Sequence, residues 1–312
     1  MDFHGLVKKF EVNRPLLNWE ISRQLPPSQP KVDKPWGQLS VIKMNSTYLE
    51  CVDKFFADKG ILSAYGLTAS GIVILFVLAT LIGTIEDWSR YASYDKRASI
   101  FFLIFVSAIC SGAFLFFRYM FSKELFRFTH YPIRFNRKNR MVYVTRLDGT
   151  VMVESWDRLF FTEGTGGDGT RDIRGHRLAE DGITVLETFA LPVYGSKKSA
   201  YRFSFWEFVR RYMEEGPEKL MTRVEWTIDI SDRRESFWQG FQFHYLDAAS
   251  VLGAGAVFLF PVILWYAIGR WIAMHTSKIP VWPAEVEAAC QIEPNDPYLV
   301  DREHLPPPMD KD

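Results

Sequence analysis

Three histidines, His130, His176 and His244, lie between the second and third of three apolar blocks, and imidazole is the side chain best suited to proton transfer near neutral pH. None has an acid or a nucleophile at a recognisable catalytic spacing, so packing or interface roles are expected of them. Asp157 follows Trp156 in a Trp-Asp pair and is expected to cap a turn rather than act as a general acid. The stretch Gly164-Thr-Gly-Gly-Asp-Gly-Thr-Arg171 has the glycine content of a phosphate cradle. It lacks the Gly-Lys-Ser/Thr ending of a P-loop and joins strands instead of opening a helix, so a hairpin loop is expected. Cys51, Cys110 and Cys290 form no CxxC or Cys-His cluster, and neither a disulfide framework nor a zinc site is expected. The chain therefore reads as a non-enzyme with no catalytic residue, cofactor or metal.

One charged run carries another kind of chemistry. Arg134, Arg137, Lys138 and Arg140 crowd the start of a sheet-like segment close to an apolar block. Such cations attract anionic lipid headgroups, each contact being worth ~1 kcal/mol near a membrane surface. The same residues also suit a protein partner, or serve only to orient the chain in a bilayer.

The apolar blocks dominate the organisation. Ile61 to Ile85, Ala98 to Phe117 and Ala248 to Gly269 run 25, 20 and 22 residues without a charge. At ~1.5 Å per residue, ~20 residues cross a hydrocarbon layer of ~30 Å, so each block is long enough to be a transmembrane helix. Tyr65, Trp88, Tyr91 and Tyr94 bracket the first block, Arg118 and Tyr119 end the second, and Trp265, Tyr266, Arg270 and Trp271 end the third. Aromatic and basic residues of this kind favour the headgroup zone. Pro261 is expected to kink the third span. Gly66 with Ser70, and Ala249 with Gly253, are pairs of small residues four apart that suit close helix packing. No span carries an ionisable residue, which argues against a pump, a proton-coupled carrier or an intramembrane protease.

Composition bounds the rest. The chain has 312 residues, with Lys+Arg and Asp+Glu equal at 37 each, and this zero net charge argues against a nucleic-acid binder. No apolar run follows a basic start at the N-terminus, so the first internal block is expected to drive insertion. Basic residues are counted to orient the spans. Residues 1–60 carry nine, and seven follow the second span between Arg118 and Arg140. The loop between spans one and two has three, and the tail after Arg270 has three against eight acids. The expectation is a multi-pass membrane protein with residues 1–60 and 118–247 in the cytoplasm. The loop 86–97 and the acidic tail 270–312 are then outside.

Outside the spans, Pro26, Pro27, Pro30 and Pro35 read as an extended linker. Residues 46–59 read as an amphipathic helix ending at Gly60, with Tyr48, Leu49, Val52, Phe55 and Phe56 on one face. Residues 118–247 alternate in β fashion. Strands are expected around Ile133–Phe135, Met141–Val144, Val151–Val153, Leu159–Phe161, 173–179 and 183–191, with an Asp148-Gly149 turn. A helix follows over Ser199 to Glu214, and another from about Ser231 enters the third block. The fold class expected is a membrane protein with an α+β domain, an antiparallel meander or barrel closed by a helix. That order is compatible with a pleckstrin-homology-like barrel.

The segment His130-Tyr-Pro-Ile-Arg-Phe-Asn-Arg-Lys-Asn-Arg-Met-Val-Tyr-Val144, with Gly149 and Trp156-Asp157 after it, resembles a family of uncharacterised bacterial membrane proteins. In these, two spans precede a domain bearing the same pattern, and members often belong to type VI secretion neighbourhoods. The resemblance implies an immunity or accessory role with a toxin or secretion component as protein partner, beside membrane lipids. It implies no catalytic residue.

Overall fold

The computed structural model describes residues 10–87, 93–165, 171–192 and 199–305. It is α+β, with two antiparallel sheets and long apolar helices. The first strand is β1 (Arg14–Pro15), followed by the short helix α1 (Asn18–Ser22), β2 (Val41–Met44) and β3 (Tyr48–Cys51). Two long helices come next, α2 (Ile61–Asp87) and α3 (Ser93–Glu124). The strands then resume as β4 (Ile133–Asn136), β5 (Met141–Thr145), β6 (Val151–Ser155), β7 (Phe160–Thr165), β8 (Arg171–Leu178) and β9 (Thr184–Ala190). Helix α4 (Ser199–Glu214) follows. After it come α5 (Phe237–Leu252), α6 (Phe260–Thr276) and the short α7 (Ala284–Ala289).

One sheet has the order β2-β3-β4-β5-β6 and the other β1-β9-β8-β7. β3 pairs directly with β4, Tyr48 opposite Asn136 and Cys51 opposite Ile133, so the α2–α3 hairpin is an excursion from between two neighbouring strands. The sheets close on one core. Leu49, Ile133, Phe135 and Val142 come from the first, Phe161, Ile173 and Phe189 from the second, and Phe205, Trp206 and Val209 from α4. Trp206 lies 5.9 Å from Trp156 and 4.7 Å from Phe161, ring to ring. Each such aromatic or aliphatic side chain contributes about 1.5–3 kcal/mol by leaving water.

Two expectations are corrected here. Residues 46–59 are not an amphipathic helix: Tyr48–Cys51 is a strand, Lys54–Phe56 a single 3-10 turn. All four strand residues are buried, because Leu49 and Cys51 face the core while Tyr48 packs with Val286 and Cys290 of the tail. Burial on both faces removes the alternation that marks a strand. The acidic tail is not separate from the central domain either. Met44 and Val300 exchange backbone hydrogen bonds of 2.9 and 2.8 Å, Ser46 Oγ donates to Asp296 at 2.7 Å, and Trp282 Nε1 donates to Glu50 at 2.9 Å. The domain thus draws on three parts of the chain rather than on 118–247 alone. Pro306 to Pro308 lie outside the described residues.

Three helical stretches, Lys54–Glu86, Lys96–Glu124 and Phe237–Thr276, are long and apolar enough to cross a membrane. Their outward side chains are apolar, Phe101 and Phe258 being 73% and 85% exposed. The third stretch is broken. α5 stops at Gly253, where φ is +57°, a 3-10 turn spans Gly253–Leu259, and α6 runs back beside α5. Phe241 lies 5.4 Å from Phe260, His244 5.9 Å from Tyr266, and Glu235 meets Arg270 at 2.7 Å. At ~1.5 Å per residue, arms of 16 and 17 residues are each ~25 Å long. Pro261 does not kink a continuous span; it sits in the first turn of α6, where a missing N–H leaves no helical bond unmade.

Candidate functional site

The basic run is absorbed into the protein. Arg134 is 4% exposed, donates to Glu50 Oε2 at 2.9 Å and to Glu287 Oε1 at 3.3 Å, and lies between the rings of Tyr48 and Trp282. Lys138 pairs with Glu293 of the tail. Arg140 holds Asp157 through two bonds of 2.8 and 2.5 Å and reaches Glu214 at 3.0 Å. Arg137 flanks Gly216, and its backbone N–H donates to Thr47 O at 2.9 Å. Asp157 is therefore an ion-pair partner for Arg140, not a turn cap. The headgroup contact expected of these four residues meets a strand-end whose cations Arg134, Lys138 and Arg140 already have carboxylate partners.

The histidines are separated. His130 is buried with Nδ1 3.0 Å from Thr129 Oγ1, and burial, with Lys59 nearby, pushes its pKa down to about 3. His244 lies 5.9 Å from Tyr266, ring to ring, at a tilt of 39°. His176 is the one beside an acid: its Nε2 is 3.5 Å from Glu20 Oε1 and its Nδ1 2.8 Å from Thr188 Oγ1. Glu20 accepts two bonds from Arg14, at 2.8 and 2.6 Å, and one from Leu17 N–H at 2.8 Å. Those bonds and His176 outweigh desolvation and hold its carboxyl well below the usual range. Both His176 and Glu20 are fully buried, so the pair ties α1 to β8. Gly166 to Gly169 of the glycine-rich loop lie outside the described residues.

The most elaborate cluster is the neck where the sheets meet the apolar helices, and sequence reasoning missed it. Glu124, at the end of α3, accepts from Gly60 N–H at 2.6 Å, Ser63 N–H at 2.7 Å and Ser63 Oγ at 2.5 Å. A carboxylate there caps the first turn of α2 and meets the positive end of its dipole. Lys59 Nζ donates to Glu124 O at 3.1 Å, Phe128 O at 2.9 Å and Ser277 Oγ at 3.2 Å. Arg270 of α6 is wholly buried, holds Glu235 in a two-bond pair, donates to Phe56 O at 2.8 Å, and lies between the rings of Phe56 and Phe243. Glycine makes this approach possible: a Cβ on Gly269 would lie 2.7 Å from Ala64 Cβ, and one on Gly60 would strike the Arg270 backbone.

The four residues expected to pack helices divide. Gly66 lies against Phe121 of α3, where a Cβ would come within 2.7 Å of the ring. Ser70 lines an apolar groove between α2 and α3. Ala249 is half-buried in α5, and Gly253 has open space around it and forms the break. The groove encloses about 720 Å³ and is lined by Val73, Val77, Cys110, Phe114 and Phe117, with Arg118, Ser122 and Phe126 among the residues toward the neck. Among the described residues no group of three or more His, Cys, Asp or Glu is placed to hold a metal.

A model of a family of unknown function, DUF6708, matches residues 110–294, from the middle of α3 past α7. No curated protein matches the chain, and no solved structure does.

Proposed function

The chain belongs to the DUF6708 family, whose function is undefined, and from that premise we propose a non-enzymatic, multi-pass bacterial inner-membrane protein whose sheet domain binds another protein. One observation carries the protein-binding reading. At the β1–β9 edge, Leu17, Ile21 and Ile183 expose apolar side chains at 39%, 52% and 56%, and the Leu16 N–H bond to Ile183 O at 2.9 Å holds their segments together. Exposed apolar residues brought together on a well-packed domain suit a partner surface. Two antiparallel sheets closed by α4 are compatible with a pleckstrin-homology-like module, a layout that presents such edges.

The domain and the tail belong on one side of the membrane in this reading. The α2–α3 hairpin leaves and rejoins neighbouring strands, and α5–α6 returns to the neck, so two hairpins enter the bilayer from one face. The basic residues of 1–60 and 118–140 favour the cytoplasm for that face. The resemblance over His130–Asp157 directs the role toward type VI secretion, as an immunity or accessory protein binding a toxin or secretion component.

The test is capture of the tagged full chain, solubilised from its native host, with mass spectrometry of what accompanies it. A single stoichiometric protein that is lost from the Ile21→Asp, Ile183→Asp variant is the expected result. Recovery of the chain with lipid only, or of a partner retained equally by the variant, overturns the reading.

A further inference from the structure

A second basic site lies at the neck, distinct from the Arg134–Arg140 run. Arg118 lines the groove between α2 and α3, and Arg127 Nε donates to the backbone of Ser122, another lining residue, at 3.1 Å. Lys278 joins them through its N–H bond to Arg127 O at 2.7 Å, and Arg234 reaches the adjacent Ser277 O at 3.2 Å. All four are exposed, and among the described residues none is paired with a carboxylate. This contrasts with Arg134, Lys138 and Arg140, each of which has an acid. Four unneutralised cations at the foot of apolar helices form an electropositive collar.

Below the collar the groove is apolar along its length, from Phe126 and Leu125 to Leu78 and Cys110. Residues 110 to 126 of α3 and the connection after it cover ~24 Å at the helical rise, more than the ~15 Å hydrocarbon depth of one leaflet, so the groove is long enough for one acyl chain. Phe126 is 74% exposed and held at φ +60°, so an aromatic side chain stands at the mouth where tail gives way to headgroup. Arg118 lies within the apolar stretch about a turn and a half from the end of α3, and its long stem allows the guanidinium to reach the interface.

We propose that this groove and collar bind one anionic phospholipid, its acyl chain between α2 and α3 and its phosphate on Arg118 and Arg127. The occupant is a lipid rather than a second copy of the chain, because a phospholipid supplies in one molecule the apolar tail that fits the groove and the phosphate that fits the unpaired cations at its mouth.

The test uses the full chain reconstituted in nanodiscs of equimolar phosphatidylcholine and phosphatidylglycerol, extracted in mild detergent and examined by native mass spectrometry. The wild type is expected to retain phosphatidylglycerol at one molecule per chain. Arg118→Gln with Arg127→Gln is expected to lower that retention roughly thirtyfold, since two headgroup contacts are removed. Val77→Trp, which fills the groove and leaves the collar intact, is expected to abolish retention of either lipid with the melting temperature preserved. Retention of both lipids in proportion to supply, equally by all three proteins, overturns the proposal. So does a dimer in the nanodisc whose interface covers the groove.

Discussion

Arg270 and Glu235 form a two-bond ion pair, at 2.7 and 2.8 Å, that is shut off from solvent and joins α6 to the segment entering α5. The guanidinium has Phe56 and Phe243 on its faces and the Phe56 carbonyl on a third nitrogen, so removal of the acid leaves a charge with aromatic walls and no counter-ion. Glu235→Ala is expected to cost about 3–5 kcal/mol. Glu235→Leu with Arg270→Met is expected to cost much less, because no isolated charge remains. Chemical denaturation in detergent compares the three proteins, and a double variant no more stable than the single one contradicts the assignment.

Contact between α2 and α6 depends on the missing side chain of Gly269. Gly269→Leu forces Ala64 and Gly60 away, and overpacking of this kind costs about 1–3 kcal/mol. Gly71→Leu, where a Cβ meets nothing within 4 Å, is expected to be neutral. Equal melting temperatures for the two variants would show that the α2–α6 approach is not tight.

Asp53 and His130 oppose each other across the acid range. Burial raises the Asp53 carboxyl to about 6 and lowers the His130 imidazole to about 3. An unfolded aspartate ionises near about 3.9, so the folded chain holds the extra proton and stability falls as pH rises from about 4 to about 6. An unfolded imidazole protonates near about 6.5 while the folded one stays neutral, so stability falls as pH drops from about 6.5 toward 3. Relative to the parent, Asp53→Asn is expected to gain stability with rising pH between about 4 and 6, and His130→Phe to lose it. Melting curves across that window decide, and identical pH slopes in all three proteins refute the assignment.

The proposed one-sided arrangement predicts labelling. In a chain with Cys51, Cys110 and Cys290 replaced by alanine, Ile183→Cys and Glu303→Cys are expected to react with an impermeant maleimide from the same side of sealed vesicles. Reaction from opposite sides would mean that residues 237–276 cross the bilayer.

Much of the domain was legible. Helix α4 lies over Ser199–Glu214 as its apolar spacing indicates, and β4, β5, β8 and β9 lie within a few residues of the expected strands. β3 was not legible, because Tyr48, Leu49, Val52, Phe55 and Phe56 recur at helical intervals and the second burying face is supplied by residues more than two hundred positions away. The fold-back at Gly253 was hidden for a similar reason: an uncharged run has the same composition straight or folded, and a glycine suits packing as well as a break. The ion pairs of the basic run were not legible because the acids Glu50, Glu287 and Glu293 are distant in sequence. The neck itself is built from single charges at the edges of apolar blocks, Lys59, Glu124, Glu235 and Arg270, where charged residues are unremarkable until folding aligns them.

The pairing of β3 with β4 across the α2–α3 hairpin bears on how the chain is made. During synthesis β3 emerges well before its partner, with its pairing edge toward β4 unfilled until β4 has been added. An unpaired strand is prone to wrong associations. Pairing of α2 and α3 as a hairpin brings their outer ends to the neck, where Glu124 meets Gly60 and Ser63, and so converts a long loop closure into a short one. Formation of the helical hairpin then precedes completion of the sheet, and a ribosome stalled short of residue 133 leaves the domain without the strand that joins its first part to the rest.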